Sequence, residues 1–284
     1  MKKVYKANLY FLIILLLEIF MPKILLPIYD ILGVTDLRIA LTMNHIIFFL
    51  IPAVIYIIVT KSSVKETLKL NKLYLKDALL VILLAFLCQP IMSFFSIVTS
   101  FFFNNNIGAF ITQINSTPYL IMLSLVALLP AITEEVTIRG IVLSGYEHKN
   151  KYLAAMITGL FFGILHLDPQ QFLYATVLGF ILALVVRITN SIFAESIIHF
   201  IINGTSVTMS KLINTIPQST EIMNGTMDLS LRSLPFNDKL IMFVVYGVIA
   251  IIFSTFVYLI LKKLEELNIN RGILKEEIKS DVIR

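Results

Sequence analysis

The sequence predicts an all-α, polytopic transmembrane helix bundle of about eight spans. Composition is the first observation behind this: 58% of the residues are hydrophobic and 14% charged, with a mean hydropathy of +0.89. Soluble domains sit near 45–50% apolar and about 25% charged. The second is a recurrence of apolar stretches along the whole chain, each approaching the roughly 20 helical residues that cross about 30 Å of hydrocarbon. The third is an alternation of Lys/Arg-rich and nearly uncharged loops between those stretches. A single integral-membrane domain over 1–284 follows, with the lipid bilayer as its surroundings and no internal repeat. The net charge of +5 is spread over loops instead of forming one patch, so it implies no nucleic-acid partner. The lone Cys88 rules out an intrachain disulfide.

Taken in order, the first stretch is Leu9–Tyr29. It lacks a small-residue cleavage site and is too long for a signal-peptide core, so it reads as a retained span. Pro22 and Lys23 inside it predict a kink or an early end. Ile39–Thr60, Ala78–Phe103 and Tyr119–Tyr146 follow as spans two to four. Tyr152–Leu167 is short, and is expected to tilt or to stop below the far surface. Phe172–Thr189, Ser191–Ile213 and Leu240–Leu261 complete the set, and 262–284 reads as a charged cytoplasmic tail.

Orientation comes from the loops. Lys2, Lys3 and Lys6 precede the first span; Lys61, Lys65, Lys69, Lys72 and Lys76 lie between the second and third. Lys149 and Lys151, then Arg187, then Lys262 and Lys263 continue the same parity, while Asn104–Pro118 on the other side carries no charge at all. The Lys/Arg excess marks the cytoplasmic side, which puts both termini inside. The many Ile, Lys and Asn residues and the lack of Trp make a bacterial plasma membrane the expected location. Within Lys61–Asp77 an interfacial amphipathic helix attracted to anionic lipid is one expectation, and a solvated positive loop is the favoured one.

Three fragments place ionisable groups inside otherwise apolar spans: Glu134-Glu135-Val136-Thr137-Ile138-Arg139, Phe162-Gly163-Ile164-Leu165-His166 and His199-Phe200-Ile201-Ile202-Asn203. A charge at the bilayer centre costs roughly 2.5–3.5 kcal/mol on insertion scales, so these groups must face one another or a wet cavity. Residues four apart share a helix face, which pairs Glu135 with Arg139, Phe162 with His166 and His199 with Asn203, and leaves Glu134 projecting elsewhere. At 1.5 Å per residue, Glu134, His166 and His199 lie about 18, 21 and 12 Å from the inner edge, so they can converge. Each fragment alone has a plainer reading, as a structural ion pair or interhelical hydrogen-bond glue. Three on three nearby spans at matching depth make a purely structural role a poor account. His45 beside Asn44, Gln89 before Pro90, and Glu18 have no such partners and read as packing, kink or snorkelling features; His148 reads as a solvated loop residue.

A carboxylate and an imidazole on one buried water make a general base, and a second imidazole with an amide supplies donors for an oxyanion. Zinc on Glu134, His166 and His199 is an alternative for the same residues, although the short H-E-x-x-H spacing is absent. Proton relays in transporters use similar residues, but would be expected with inverted repeats or broken helices in both halves.

The order Glu-Glu-x-x-x-Arg, Phe-x-x-x-His, His-x-x-x-Asn on successive spans resembles the CAAX protease and bacteriocin-processing (Abi) family of intramembrane proteases, whose eukaryotic members include the Ras-converting CAAX endopeptidase. All three motifs are complete, and the resemblance covers a motif-bearing core over 119–213. It implies an endopeptidase acting on peptide or protein substrates at the membrane. By resemblance, Glu134 with His166 activates water, His199 and Asn203 stabilise the oxyanion, and Glu135 with Arg139 positions the first Glu or the substrate. No cofactor is expected, with zinc as the alternative. Peptide maturation, export and bacteriocin self-immunity are the roles of bacterial relatives. A non-catalytic immunity or scaffold protein on the same fold is the rival reading.

Overall fold

The computed structural model describes residues 2–214 and 231–274, all statements below being limited to them. The elements are helical. Seven helices are long and apolar enough to cross a membrane: α1 (Lys2–Ile31), α2 (Leu37–Thr60), α3 (Leu75–Ser100), α5 (Tyr119–Val142), α7 (Pro169–Thr189), α8 (Ile192–Asn214) and α9 (Phe236–Asn270). A short α4 (Asn106–Gln113) lies between α3 and α5, and α6 (Lys151–Leu165) is the shorter fifth apolar stretch. With 15 residues, α6 is about 22 Å long, less than the hydrocarbon thickness.

The first span neither ends nor breaks at Pro22. α1 continues through Pro22 and Pro27 to Ile31, and the chain then turns at Gly33, whose φ of 68° suits a residue without Cβ. In α2 and α5 the cost of an internal proline shows as a widened π turn just ahead of it: Ile46–Leu50 before Pro52, and Ser124–Leu128 before Pro130. A proline lacks the N–H for the carbonyl four residues back and its ring crowds that carbonyl. A wider turn relieves the crowding. A third π turn, Val136–Val142, begins directly after the two glutamates.

The Lys/Arg-rich segments gather at one end of the bundle. Lys3 and Lys69 both pair with Glu147, Arg187 donates to the carbonyls of Glu147 and Lys149, and Lys151 pairs with Glu265. The uncharged 104–118 loop sits at the opposite end, where Asn106 donates to Asp168 and Arg232 to Asn104. The Lys61–Asp77 segment is neither a continuous amphipathic helix nor simply solvated. Its helix covers only Val64–Thr67; Leu68 is buried, its Cδ2 only 2.5 Å from where a Cβ on Gly140 would stand. Asn71 donates to the Asn190 carbonyl at 2.8 Å and accepts from Ser191 at 2.8 Å. The polar backbone needs these partners once the loop is drawn into the bundle. The charged tail also begins as structure: α9 runs on past Lys262 and Lys263, and Asn268 and Arg271 both donate to the buried Asp77, at 3.3 and 2.6 Å. Residues 275–284 of the tail lie outside the described residues.

α6 and α7 form the closest helix pair, a hairpin joined through His166–Asp168. Small residues permit the approach, as in membrane interfaces generally. A Cβ on Gly159 would stand 2.7 Å from the Phe180 nitrogen and 2.8 Å from the Thr176 oxygen, both backbone atoms that cannot swing away. Gly159→Ala is therefore expected to destabilise the protein by about 1–3 kcal/mol. Gly247→Ala, where the nearest atom is at 3.4 Å, should be close to neutral. Thermal unfolding of both in detergent checks this; equal midpoints would contradict the packing argument.

Candidate active site

The polar fragments of α5, α6 and α8 meet around one cavity of about 820 Å³, which Glu134, His166, His199 and Asn203 all line. Glu135 and Arg139 lie behind its wall, with 0% side-chain exposure for both. The Arg139 Nε is 3.3 Å from Glu135 Oε2, the i,i+4 geometry of a helix ion pair, and a guanidinium nitrogen is 3.3 Å from the other carboxylate oxygen. Arg139 also reaches the Gly179 carbonyl at 3.4 Å, and its guanidinium carbon lies 4.1 Å from the centre of the Phe162 ring. A desolvated cation over an aromatic face is favourable. The same ring stands nearly perpendicular to those of His166 and His199, at 4.7 and 5.8 Å between centres. It is an apolar plate that spaces the cation from the two imidazoles.

His199 links the two glutamates. Its Nδ1 is 2.6 Å from Glu135 Oε1, and its Nε2 is 4.0 Å from Glu134 Oε2. An ionised carboxylate only accepts, so Nδ1 is the protonated nitrogen toward Glu135. Glu134 is the more open acid, with 17% side-chain exposure against 0% for Glu135. His166 donates from its Nδ1 to the Phe162 carbonyl at 2.7 Å, and it lines the same cavity as Glu134. A backbone carbonyl cannot donate, so in a neutral ring Nε2 of His166 is left as an acceptor.

Asn203 is fixed through the proline of the facing helix. Pro130 has no N–H to give the Val126 carbonyl four residues earlier. The Asn203 amide donates to that carbonyl instead, at 3.2 Å. The widened turn on α5 and the amide on α8 thus hold each other.

Four residues set aside as packing features, or passed over, belong to this region. His45 is not without a partner: its Nδ1 is 2.8 Å from Thr133 Oγ1, and since the Thr133 hydroxyl donates to the Leu129 carbonyl, His45 is the donor. Glu18 and Gln89 line the same cavity. Their contacts come from spans far apart in sequence, which local spacing does not reveal. Glu195 was not singled out at all. It is 0% exposed, neither carboxylate oxygen has a hydrogen-bond partner among the described residues, and it feels the charges of Glu135 and Arg139. Its signal was available: it stands one turn before His199, at the spacing that joins His199 to Asn203.

Among the described residues no three His, Cys, Asp or Glu are arranged to hold a metal ion. Nδ1 of both His166 and His199 is engaged, by a backbone carbonyl and a carboxylate respectively, which leaves Nε2 of each ring for the cavity.

Residues 116–205 match the family model described as type II CAAX prenyl endopeptidase Rce1-like. The chain is also similar to a Bacillus subtilis (strain 168) protein named "Putative membrane peptidase YdiL", 30% identical over 107 residues. That alignment takes in 37% of this chain and 43% of the relative, so the chain spans less than half the relative's length. No solved structure matches. The matched segment contains all three motifs and every side chain from them that faces the cavity, so the likeness to these proteins rests on the residues of the site itself.

Proposed function

We propose that the chain is an intramembrane endopeptidase that hydrolyses peptide bonds with a Glu134-activated water. The observation that carries this reading is the arrangement of Glu134 and His199 on one cavity, with His199 braced from behind by the buried Glu135–Arg139 pair. In this scheme the Glu134 carboxylate takes a proton from water while the acceptor nitrogen of His166 takes the second hydrogen as a hydrogen bond. The hydroxide oxygen adds to the scissile carbonyl carbon, and the carbonyl electron pair moves onto its oxygen. His199 as the imidazolium, with Nδ1–H on Glu135 and Nε2–H toward the cavity, donates to that oxyanion. Asn203 supplies its second amide hydrogen. Glu134 then delivers its proton to the leaving nitrogen as the C–N bond breaks and the carbonyl re-forms. Glu135 and Arg139 touch no reacting atom and position His199.

The cavity's size suits a short extended segment of a membrane-associated peptide or protein. Peptide maturation or bacteriocin self-immunity are the biological settings this reading favours, in a bacterial plasma membrane. The Lys/Arg-rich end with both termini is the cytoplasmic end in this reading. Cysteines placed at Lys69 and at Asn105 should be labelled from opposite sides of sealed vesicles; labelling from one side would reject this orientation.

The scheme needs no metal. Removing an oxyanion donor typically costs about 10²–10³ in turnover. Asn203→Ala is therefore expected to lower kcat by that order while KM changes little, because the bond strengthens in the transition state. Activity should persist in a chelator with a preparation whose elemental analysis shows no zinc. Zinc that co-purifies stoichiometrically, is lost in His166→Ala and His199→Ala, and restores activity on return would replace this mechanism.

A further inference from the structure

A second concavity, of about 520 Å³, lies on the other side of α7 and shares no lining residue with the active-site cavity. It runs between α6, α7 and α9, with Phe95 of α3 at its deep end. Its length can be read from the helices: Val177 to Ile188 on α7 and Ser254 to Glu265 on α9 each span about 16 Å at 1.5 Å per residue. That is close to half of the roughly 30 Å hydrocarbon core, the depth of one leaflet.

The groove is polarised along this length. Val177, Phe180, Ile181 and Leu184 make its wall, and apart from Ser254 its polar groups sit at the end where the Lys/Arg-rich loops gather. There Lys151 pairs with Glu265, which leaves Lys262 as the excess positive charge; it forms no ion pair among the described residues. Tyr152 and Tyr258 stand beside it, 53% and 62% exposed, as amphipathic rings do at a membrane interface. An apolar trench one leaflet deep, capped by a net positive charge and two phenols, matches the two halves of an anionic phospholipid.

We infer that this groove binds one anionic phospholipid of the cytoplasmic leaflet, its acyl chain along α7 and α9 and its phosphate at Lys262. A neighbouring lysine provides the control. Lys263 is equally exposed but pairs with Glu266 at 3.2 Å and does not line the groove. The test is native mass spectrometry of the delipidated full chain, titrated with phosphatidylglycerol and with phosphatidylcholine of the same acyl chains. Phosphatidylglycerol should bind in one-to-one stoichiometry and more tightly. Lys262→Glu should weaken it at least about fivefold, the worth of one interfacial basic residue, whereas Lys263→Glu should not. Ser254→Trp, at an exposed position that fills the groove, should displace lipid of either headgroup. Equal affinity for the two lipids, equal weakening by the two lysine variants, or full displacement by glycerophosphate alone would overturn the assignment. None of these readouts depends on proteolysis.

Discussion

Glu134→Gln is expected to abolish turnover, by about 10²–10⁴-fold or to the detection limit, while the protein folds and unfolds like the wild type. The magnitude is that of a lost general acid–base group. The amide keeps the shape of the carboxylate but cannot take a proton from water. Folding should be spared because Glu134 makes no short hydrogen bond and its closest charged partner is His199 at 4.0 Å. Thermal unfolding and product formation measured on the same preparation separate the two effects. Full activity in the variant would reassign the base.

Arg139→Ala should behave in the opposite way, damaging the fold first. Arg139 is the buried cation facing Glu135, and it stacks on Phe162. Removing it breaks a fully buried ion pair and leaves Glu135 with His199 alone, and breaking a buried pair typically costs about 3–5 kcal/mol. A lower unfolding midpoint and poorer yield are the expected results. Arg139→Lys should recover part of the loss, since it restores the charge but not the planar fork that reaches both Glu135 and Gly179. An Arg139→Ala protein as stable as wild type would mean that Glu135 is compensated from elsewhere.

The sequence made the helical bundle legible because a membrane leaves few alternatives: long apolar runs must satisfy their own backbone, and only helices do so within one segment. The pairing of Glu135 with Arg139 was legible for the same local reason, a fixed four-residue spacing on one face. The partner of His199 was not. It is Glu135, a residue 64 positions away, and the helical face shared with Asn203 said nothing about which helix lay opposite. His45 escaped for the same reason, its Thr133 contact being 88 positions away. Pro130 drew no notice within its apolar run, and its consequence, a carbonyl on Val126 left for Asn203 to take, exists only once α5 and α8 are side by side. The Lys61–Asp77 loop misled in a different way. Its lysines describe its surface, whereas its position is fixed by buried Leu68 against the bare backbone of Gly140 and by the hydrogen bonds of Asn71 to Asn190 and Ser191.

Peptide-bond hydrolysis by a Glu134-activated water is tested most directly by mass spectrometry in water enriched in ¹⁸O. Purified wild type and Glu134→Gln, each reconstituted in vesicles, are incubated with the same set of membrane-associated peptides. New peptide ends whose carboxylate carries one solvent-derived ¹⁸O, formed by the wild type and absent with Glu134→Gln, are the predicted result. No new ends with either protein, or the same labelled ends with both, would contradict it.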